Sequence, residues 1–127
     1  ARKIEKRTVF IIEYQDKVAI HKRPPKGLLA ALYELPNVLG YPGPEEVPEV
    51  LGLEPEAVEQ LIPLPSAKHV FSHVEWHMSG YLIRVTEEIP GLLFADREEL
   101  KEKYPIPNAF AAYRKIAAAQ TMDSCES

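Results

Sequence analysis

A single α/β (α+β) domain, built on a mixed β-sheet flanked by short helices, is what this sequence predicts. Three observations carry the prediction. The chain has 127 residues, 46% of them apolar and 27% charged, enough for one real core. Thr8 to Tyr14 is a continuous apolar and β-branched run, the pattern of a strand buried on both faces. Helical spacing is confined to short stretches near prolines, most clearly after Asp96 and after Asn108.

The elements follow in order. Residues 1–6 read as the end of a linker, with the domain expected over 7–119. Gln15-Asp16 is a tight connection, and Lys17 to Arg23 alternates as a second strand, so the first two strands form an antiparallel hairpin. Pro24-Pro25-Lys26-Gly27 breaks it. Leu28 to Pro36 (LLAALYELP) is short and apolar, and is expected to turn into another buried strand. Pro36 to Pro48 is irregular. Short helices fit Glu45–Leu51 and Pro55–Leu61, the latter with Pro at its first turn. Strands are expected within Ile62–Phe71 and across Val74–Thr86. Asp96-Arg97-Glu98-Glu99 has the form of a capping box, followed by Leu100 and Tyr104 at helical spacing. Pro105 and Pro107 end that helix. A last helix follows Asn108, with Phe110, Tyr113, Ile116 and Ala117 on one stripe. Gln120 to Ser127 reads as a disordered or non-native tail.

Charge is unevenly spread. Residues 1–28 carry eight Lys/Arg against Glu5, Glu13 and Asp16, whereas residues 29–63 carry seven Glu and no Lys or Arg. A basic amino-terminal quarter suits phosphate, and an acidic stretch points away from it. The lone Cys125 rules out a disulfide framework and fits a reducing compartment. No apolar run approaches a membrane span, and no secretory signal is visible, so no membrane partner is expected. The chain begins at Ala1 rather than methionine, as expected of a piece of a longer protein.

The stretch Lys68 to Trp76, KHVFSHVEW, gathers an aromatic ring, a hydroxyl and imidazoles where a loop meets a strand. From Val74 on, apolar residues alternate with polar ones, the signature of a half-buried strand. The structural reading puts Phe71 in the core and its polar neighbours in water. The functional reading makes the loop a recognition element on a rigid sheet.

Two segments together resemble a known family. KRPPKGLLAALYELP (Lys22–Pro36) is similar to the phrase that leads into the phosphohydrolase signature of Nudix domains, and HVFSHVEW (His69–Trp76) resembles the FSH loop of one Nudix branch. That branch is the carboxy-terminal domain of the MutY family, adenine DNA glycosylases that remove adenine mispaired with 8-oxoguanine. The resemblance covers roughly residues 3–119. It implies that residues 7–119 form a Nudix-like carboxy-terminal domain.

Spacing then separates binding from hydrolysis. Active Nudix hydrolases continue into Gly, five residues, Glu, seven residues, and Arg-Glu-apolar-x-Glu-Glu-x-Gly, whose adjacent glutamates hold a divalent metal. Here the Gly position falls on Asn37, the first Glu position on Gly43, and the Arg-Glu pair on Leu51-Gly52. Glu45, Glu46 and Glu49 lie in this segment without the required spacing. No catalytic residue and no metal site are therefore expected in this chain.

The resemblance implies a lesion reader instead. By position, Phe71, Ser72 and His73 occupy the FSH loop that distinguishes 8-oxoguanine from guanine, with His69 beside it as a weaker candidate. 8-Oxoguanine gains a carbonyl at C8 and a hydrogen on N7, which turns an acceptor edge into a donor. A serine hydroxyl can accept or donate there, and His73 can donate to an oxygen. Lys22, Arg23, Lys26 and Lys68 are the phosphate candidates. The partners implied are double-stranded DNA containing 8-oxoguanine:adenine, an amino-terminal catalytic domain of the same protein carrying an iron–sulfur cluster, and repair or replication factors. The parent enzyme would hydrolyse the N-glycosyl bond, and no cofactor is expected in this chain. A bacterial protein of this kind would be cytoplasmic and DNA-associated, a eukaryotic one nuclear or mitochondrial.

Rival readings are a stand-alone hydrolase of oxidised nucleoside triphosphates and a protein-interaction platform. His73 and His77 in HVEWH miss the zinc-protease pattern, because Glu75 stands third rather than second. Cys125 has no basic neighbour to activate it.

Overall fold

The computed structural model describes residues 2–27, 29 and 32–122, with side chains through residue 117. Its spine is a parallel pair, β1 (Lys3–Tyr14) and β6 (Val74–Val85), registered from Lys3↔Val74 to Glu13↔Arg84. Residues 3–6 were expected to end a linker. They belong to β1 instead, because β6 pairs with the chain from Lys3 onward. The hairpin turns at Gln15-Asp16 into β2 (Lys17–Lys22), with Gln15 in the left-handed region at φ 57°.

The strand order is β3-β2-β1-β6-β5, where β3 is Tyr33–Glu34 and β5 is Val58–Val70. Two short strands complete the sheet. β4 (Asn37–Leu39) pairs antiparallel with Arg7–Val9 of β1, and β7 (Leu93–Ala95) pairs with β2. The sheet is mixed, and the fold is α+β. The strand expected over Leu28–Pro36 is present only as Tyr33–Glu34; Leu28, Ala30 and Ala31 lie outside the described residues.

Two cores sit on opposite faces of the sheet. Val9, Ile11, Trp76 and Met78 pack with Phe110, Tyr113 and Ala117 of the final helical segment. Phe10, Ile12, Ile83 and Val85 pack with Val47, Leu53 and Ala57 on the other side. Val9 through Ile12 are all fully buried, as a strand with apolar residues on both faces requires.

Helix ends follow their local signals. A 3-10 turn at Pro44–Glu46 runs into α1 (Val47–Leu51), which stops at Gly52 in the left-handed conformation (φ 73°). The Asp96 carboxylate accepts from the Glu99 amide at 2.9 Å, and the Glu99 carboxylate accepts from the Asp96 amide at 3.0 Å, opening α2 (Arg97–Glu102). α3 (Ala111–Met122) follows a turn at Asn108–Phe110 and extends into the segment expected as a tail; residues 123–127 lie outside the described residues.

The helix expected over Pro55–Leu61 is only a turn, Pro55–Ala57, after which the chain enters β5 at Val58. Pairing with β6 and packing of Val58 and Leu61 against the second core override the local helical pattern. β5 is an edge strand, which explains how it accommodates Pro63 and Pro65. Its register shifts between Val58/Gln60 and between Leu64/Ala67.

Tyr113 fastens the second irregularity. Its hydroxyl donates to the Pro65 carbonyl at 2.8 Å, and its ring lies over Gly80, where an added Cβ would stand 2.9 Å from Cε1 and 3.1 Å from the Val9 carbonyl. Gly80→Ala is therefore expected to cost roughly 1–3 kcal/mol in urea unfolding, as an overpacked core does. Burial, reinforced by Tyr41, raises the Tyr113 phenol from 10.0 to about 12. Its contribution to stability is complete below pH 10.0 and is lost as pH rises towards 12. Tyr113→Phe should lose less stability than the parent chain over that alkaline interval.

Candidate nucleic-acid interface

β5 and β6 are joined by a three-residue connection, Phe71, Ser72 and His73. The Phe71 amide donates to the Val74 carbonyl at 2.7 Å, leaving Ser72 and His73 exposed at the hairpin tip. The His73 carbonyl accepts from the Lys3 amide at 3.1 Å, which ties the tip to the start of β1. Side chains at the tip face water while the backbone beneath them is held on both sides.

Aromatic packing supplies the base of the tip. Phe71 is half-buried, edge-on to His69 at 4.7 Å and to Trp76 at 5.0 Å between ring centroids. Trp76 is fully buried and continues to Phe110 at 5.7 Å. Phe71 thus supports the loop from the core, and such pairs add about 0.5–1.5 kcal/mol each beyond area burial.

Two guanidiniums lie over the Trp76 ring, Arg7 at 4.7 Å and Arg23 at 5.5 Å from its centroid. Each is held by neighbours. Glu5 Oε1 accepts from Arg7 Nε and Nη2 at 3.0 and 2.9 Å, and Asn37 Oδ1 accepts from Arg7 Nη1 at 2.7 Å. Arg23 Nη1 donates to Glu34 Oε1 at 2.6 Å, and Asn37 Nδ2 donates to the same oxygen at 2.9 Å. His21 Nδ1 lies 3.2 Å from Glu34 Oε2. The buried Glu34 carboxylate therefore anchors a polar network that reaches the Trp76 ring beneath the β5–β6 tip.

Phe71, Ser72, His73 and His69 are brought together at one end of the sheet. The four phosphate candidates are not. Arg23 is held against Glu34 and Trp76, with its side chain only 15% exposed. Lys22, at the end of β2, lies 5.9 Å from the Tyr33 ring centroid, and Lys26 is exposed in the turn after β2. Lys68 is on β5, at the far edge of the strand order from both. Arg7, Glu34, Asn37 and Trp76 were not singled out from sequence. One signal was available: Arg7 stands in phase with Val9 and Ile11, so a charge falls on a core-facing position.

The NUDIX domain family model matches residues 8–116. The chain belongs to the Nudix family. No curated protein matches it. The carboxy-terminal domain of mouse MUTYH, solved in complex with human PCNA, is similar at a TM-score of 0.67 and 19% identity, over 91% of this chain and 89% of that one. A Nudix hydrolase from Nitrosomonas europaea gives 0.64 and 15%, over 93% and 91%. The MutT Nudix hydrolase of Burkholderia pseudomallei gives 0.57 and 18%, over 94% and 98%. Likeness at these identities is likeness of fold.

Within this Nudix chain, the position aligned with the signature's Arg-Glu pair is Leu51-Gly52, and Gly52 is the left-handed residue that ends α1. Glu45 and Glu46 lie in the turn before α1, and Glu49 within it. Among the described residues, no three His, Cys, Asp or Glu side chains are grouped to hold a metal ion.

Glu75 gathers cations beside the tip. Its carboxylate lies 3.1 Å from His77 Nε2, 3.4 Å from Arg2 Nη1 and 4.0 Å from Lys68 Nζ. The His77 hydrogen bond, foremost, together with Lys68 and Arg2, holds the Glu75 carboxyl below its ordinary 4.5. The linked stabilisation is present above that value and is lost as pH falls through the lowered one. In a carboxyl NMR titration, His77→Ala is expected to move the Glu75 midpoint upward.

Proposed function

We propose that this domain is a non-catalytic lesion reader of an adenine DNA glycosylase, recognising 8-oxoguanine opposite adenine through Phe71, Ser72 and His73. The observation that carries this reading is the exposed Ser72-His73 tip, held over a buried aromatic base. Discrimination between two bases that differ at C8 and N7 requires polar groups at a defined position, and the Phe71–Trp76 packing supplies that position. The Ser72 hydroxyl faces the altered edge as donor or acceptor, and His73 donates to an oxygen of the lesion or backbone. One such contact is worth about 1–3 kcal/mol, by analogy with a good base-edge pair.

Cleavage of the N-glycosyl bond belongs, on this reading, to an amino-terminal domain of the same protein. That domain would hold the iron–sulfur cluster, since the single cysteine here cannot ligate one alone. Holding the orphaned partner base while the adenine is extruded is the task this module adds. The complex of the mouse MUTYH domain with human PCNA supports a repair or replication protein as a further partner. The Pro-rich acidic segment 37–63 is a candidate contact for it.

The likeness to Nudix hydrolases supports a second reading, hydrolysis of an oxidised nucleoside triphosphate. The shifted glutamates weigh against it. Purified protein given 8-oxo-dGTP and magnesium is expected to release no pyrophosphate; release at enzymatic rates would replace the lesion-reader assignment. In the full-length glycosylase, the double variant Ser72→Ala/His73→Ala is expected to lose about 5- to 100-fold of the preference for 8-oxoguanine:adenine over guanine:adenine. An unchanged preference sinks the role given to the tip.

A further inference from the structure

We infer that one face of the sheet end beside this tip binds the phosphate backbone of duplex DNA, through a row formed by Lys6, His77 and Lys68. The inference rests on the DNA-binding reading above and adds a contact surface to it. The row is a product of register. Lys6 on β1 pairs with His77 on β6, and His77 pairs with Lys68 on β5. Registered neighbours project to the same face, so three basic side chains stand side by side across about 10 Å.

That stretch of the face is open. The final helical segment packs on the Trp76 and Met78 side of the sheet. On the opposite side, the second core begins at Phe10 and Tyr81, two positions or more beyond Lys6 and His77. Lys6 is exposed, the Lys68 side chain is 60% exposed, and Ile4 and Val70 in the adjoining register are exposed as well. A concavity of 470 Å³ lies beside the row, lined by Tyr41, Ser66, Lys68 and His77 among others.

Charge selects a polyanion as the occupant. Arg2, Lys68 and His77 surround the single carboxylate of Glu75, and Lys6, beside His77 in the ladder, forms no ion pair among the described residues. Glu45 and Glu46 act on Tyr81 farther along the same face, so the potential turns negative towards α1. A DNA strand would therefore cross the end of the sheet rather than run along it. Lys68 and His77 each stand four residues from the tip pair, roughly 13 Å of extended chain. Base reading at the tip and phosphate contacts beside it divide the work as in other protein–DNA interfaces.

The test is the salt dependence of duplex binding by this chain, with 8-oxoguanine:adenine and guanine:adenine duplexes as probes. Each phosphate contact contributes about 0.9 to the slope of log affinity against log salt. The double variant Lys6→Gln/Lys68→Gln is expected to flatten the slope by about 2 and to weaken both duplexes equally. Lys6→Arg/Lys68→Arg should keep the slope. A slope unmoved by the Gln variant, loss confined to the lesion duplex, or no salt-dependent binding by the parent chain overturns the row. Parent protein that binds both duplexes alike, with a slope that the Gln variant flattens, removes lesion reading at the tip and leaves the row standing.

Discussion

The parallel ladder between β1 and β6 is the constraint on which the rest of this molecule depends. Both strands are central, and β1 is buried on both faces from Val9 to Ile12. A slip of one residue would exchange the two core faces outright, sending Phe10 and Ile12 to the α3 side and Val9 and Ile11 away from it. The register is therefore strongly specified. Through it, the Lys3 amide meets the His73 carbonyl, Arg7 meets the Trp76 face, and Lys6 stands beside His77.

Rigidity of the tip comes from an unusual junction of apolar and ionic packing. Trp76 touches Phe71 and Phe110 within the core, yet carries two guanidiniums over its ring. Those cations require counter-charges, because buried ions are costly unless paired and hydrogen-bonded. Glu5 and Glu34 supply them, and Asn37 joins the two ion pairs by bonding to both Arg7 and Glu34. The network links β1, β2, β3 and β4 to a residue of β6. A polar tip on such a base keeps its donors and acceptors in place at small entropic cost.

Charge in this fold is sorted by face and edge rather than by sequence position. The basic first quarter of the chain does not make one patch. Arg7 and Arg23 turn inward to Trp76, Lys22 and Lys26 lie towards β3, and Lys6 on the central β1 shares a register row, through His77, with Lys68 on the far edge strand β5. The acidic stretch, in turn, supplies Glu34 to the interior and Glu45 and Glu46 to the α1 side. The face beside the tip is thereby bounded by acid on one side.

By itself, the chain determined whatever depends on local period and local chemistry. The apolar run of β1, the alternation from Val74, the Asp96 capping box and the Phe110–Tyr113–Ala117 stripe are each decided by neighbours a few residues away. The FSH-like phrase was equally legible, since a three-residue hairpin connection is a local object. Tertiary structure decided the remainder. Val58–Leu61 became strand because β6 offered a partner, residues 3–6 became strand for the same reason, and Arg23 was drawn from a phosphate candidate into an ion pair with Glu34. The Lys6–His77–Lys68 row exists only through two pairings between segments far apart in the chain. Register between distant strands is set by burial on both faces at once, and no stretch of one strand carries that information alone.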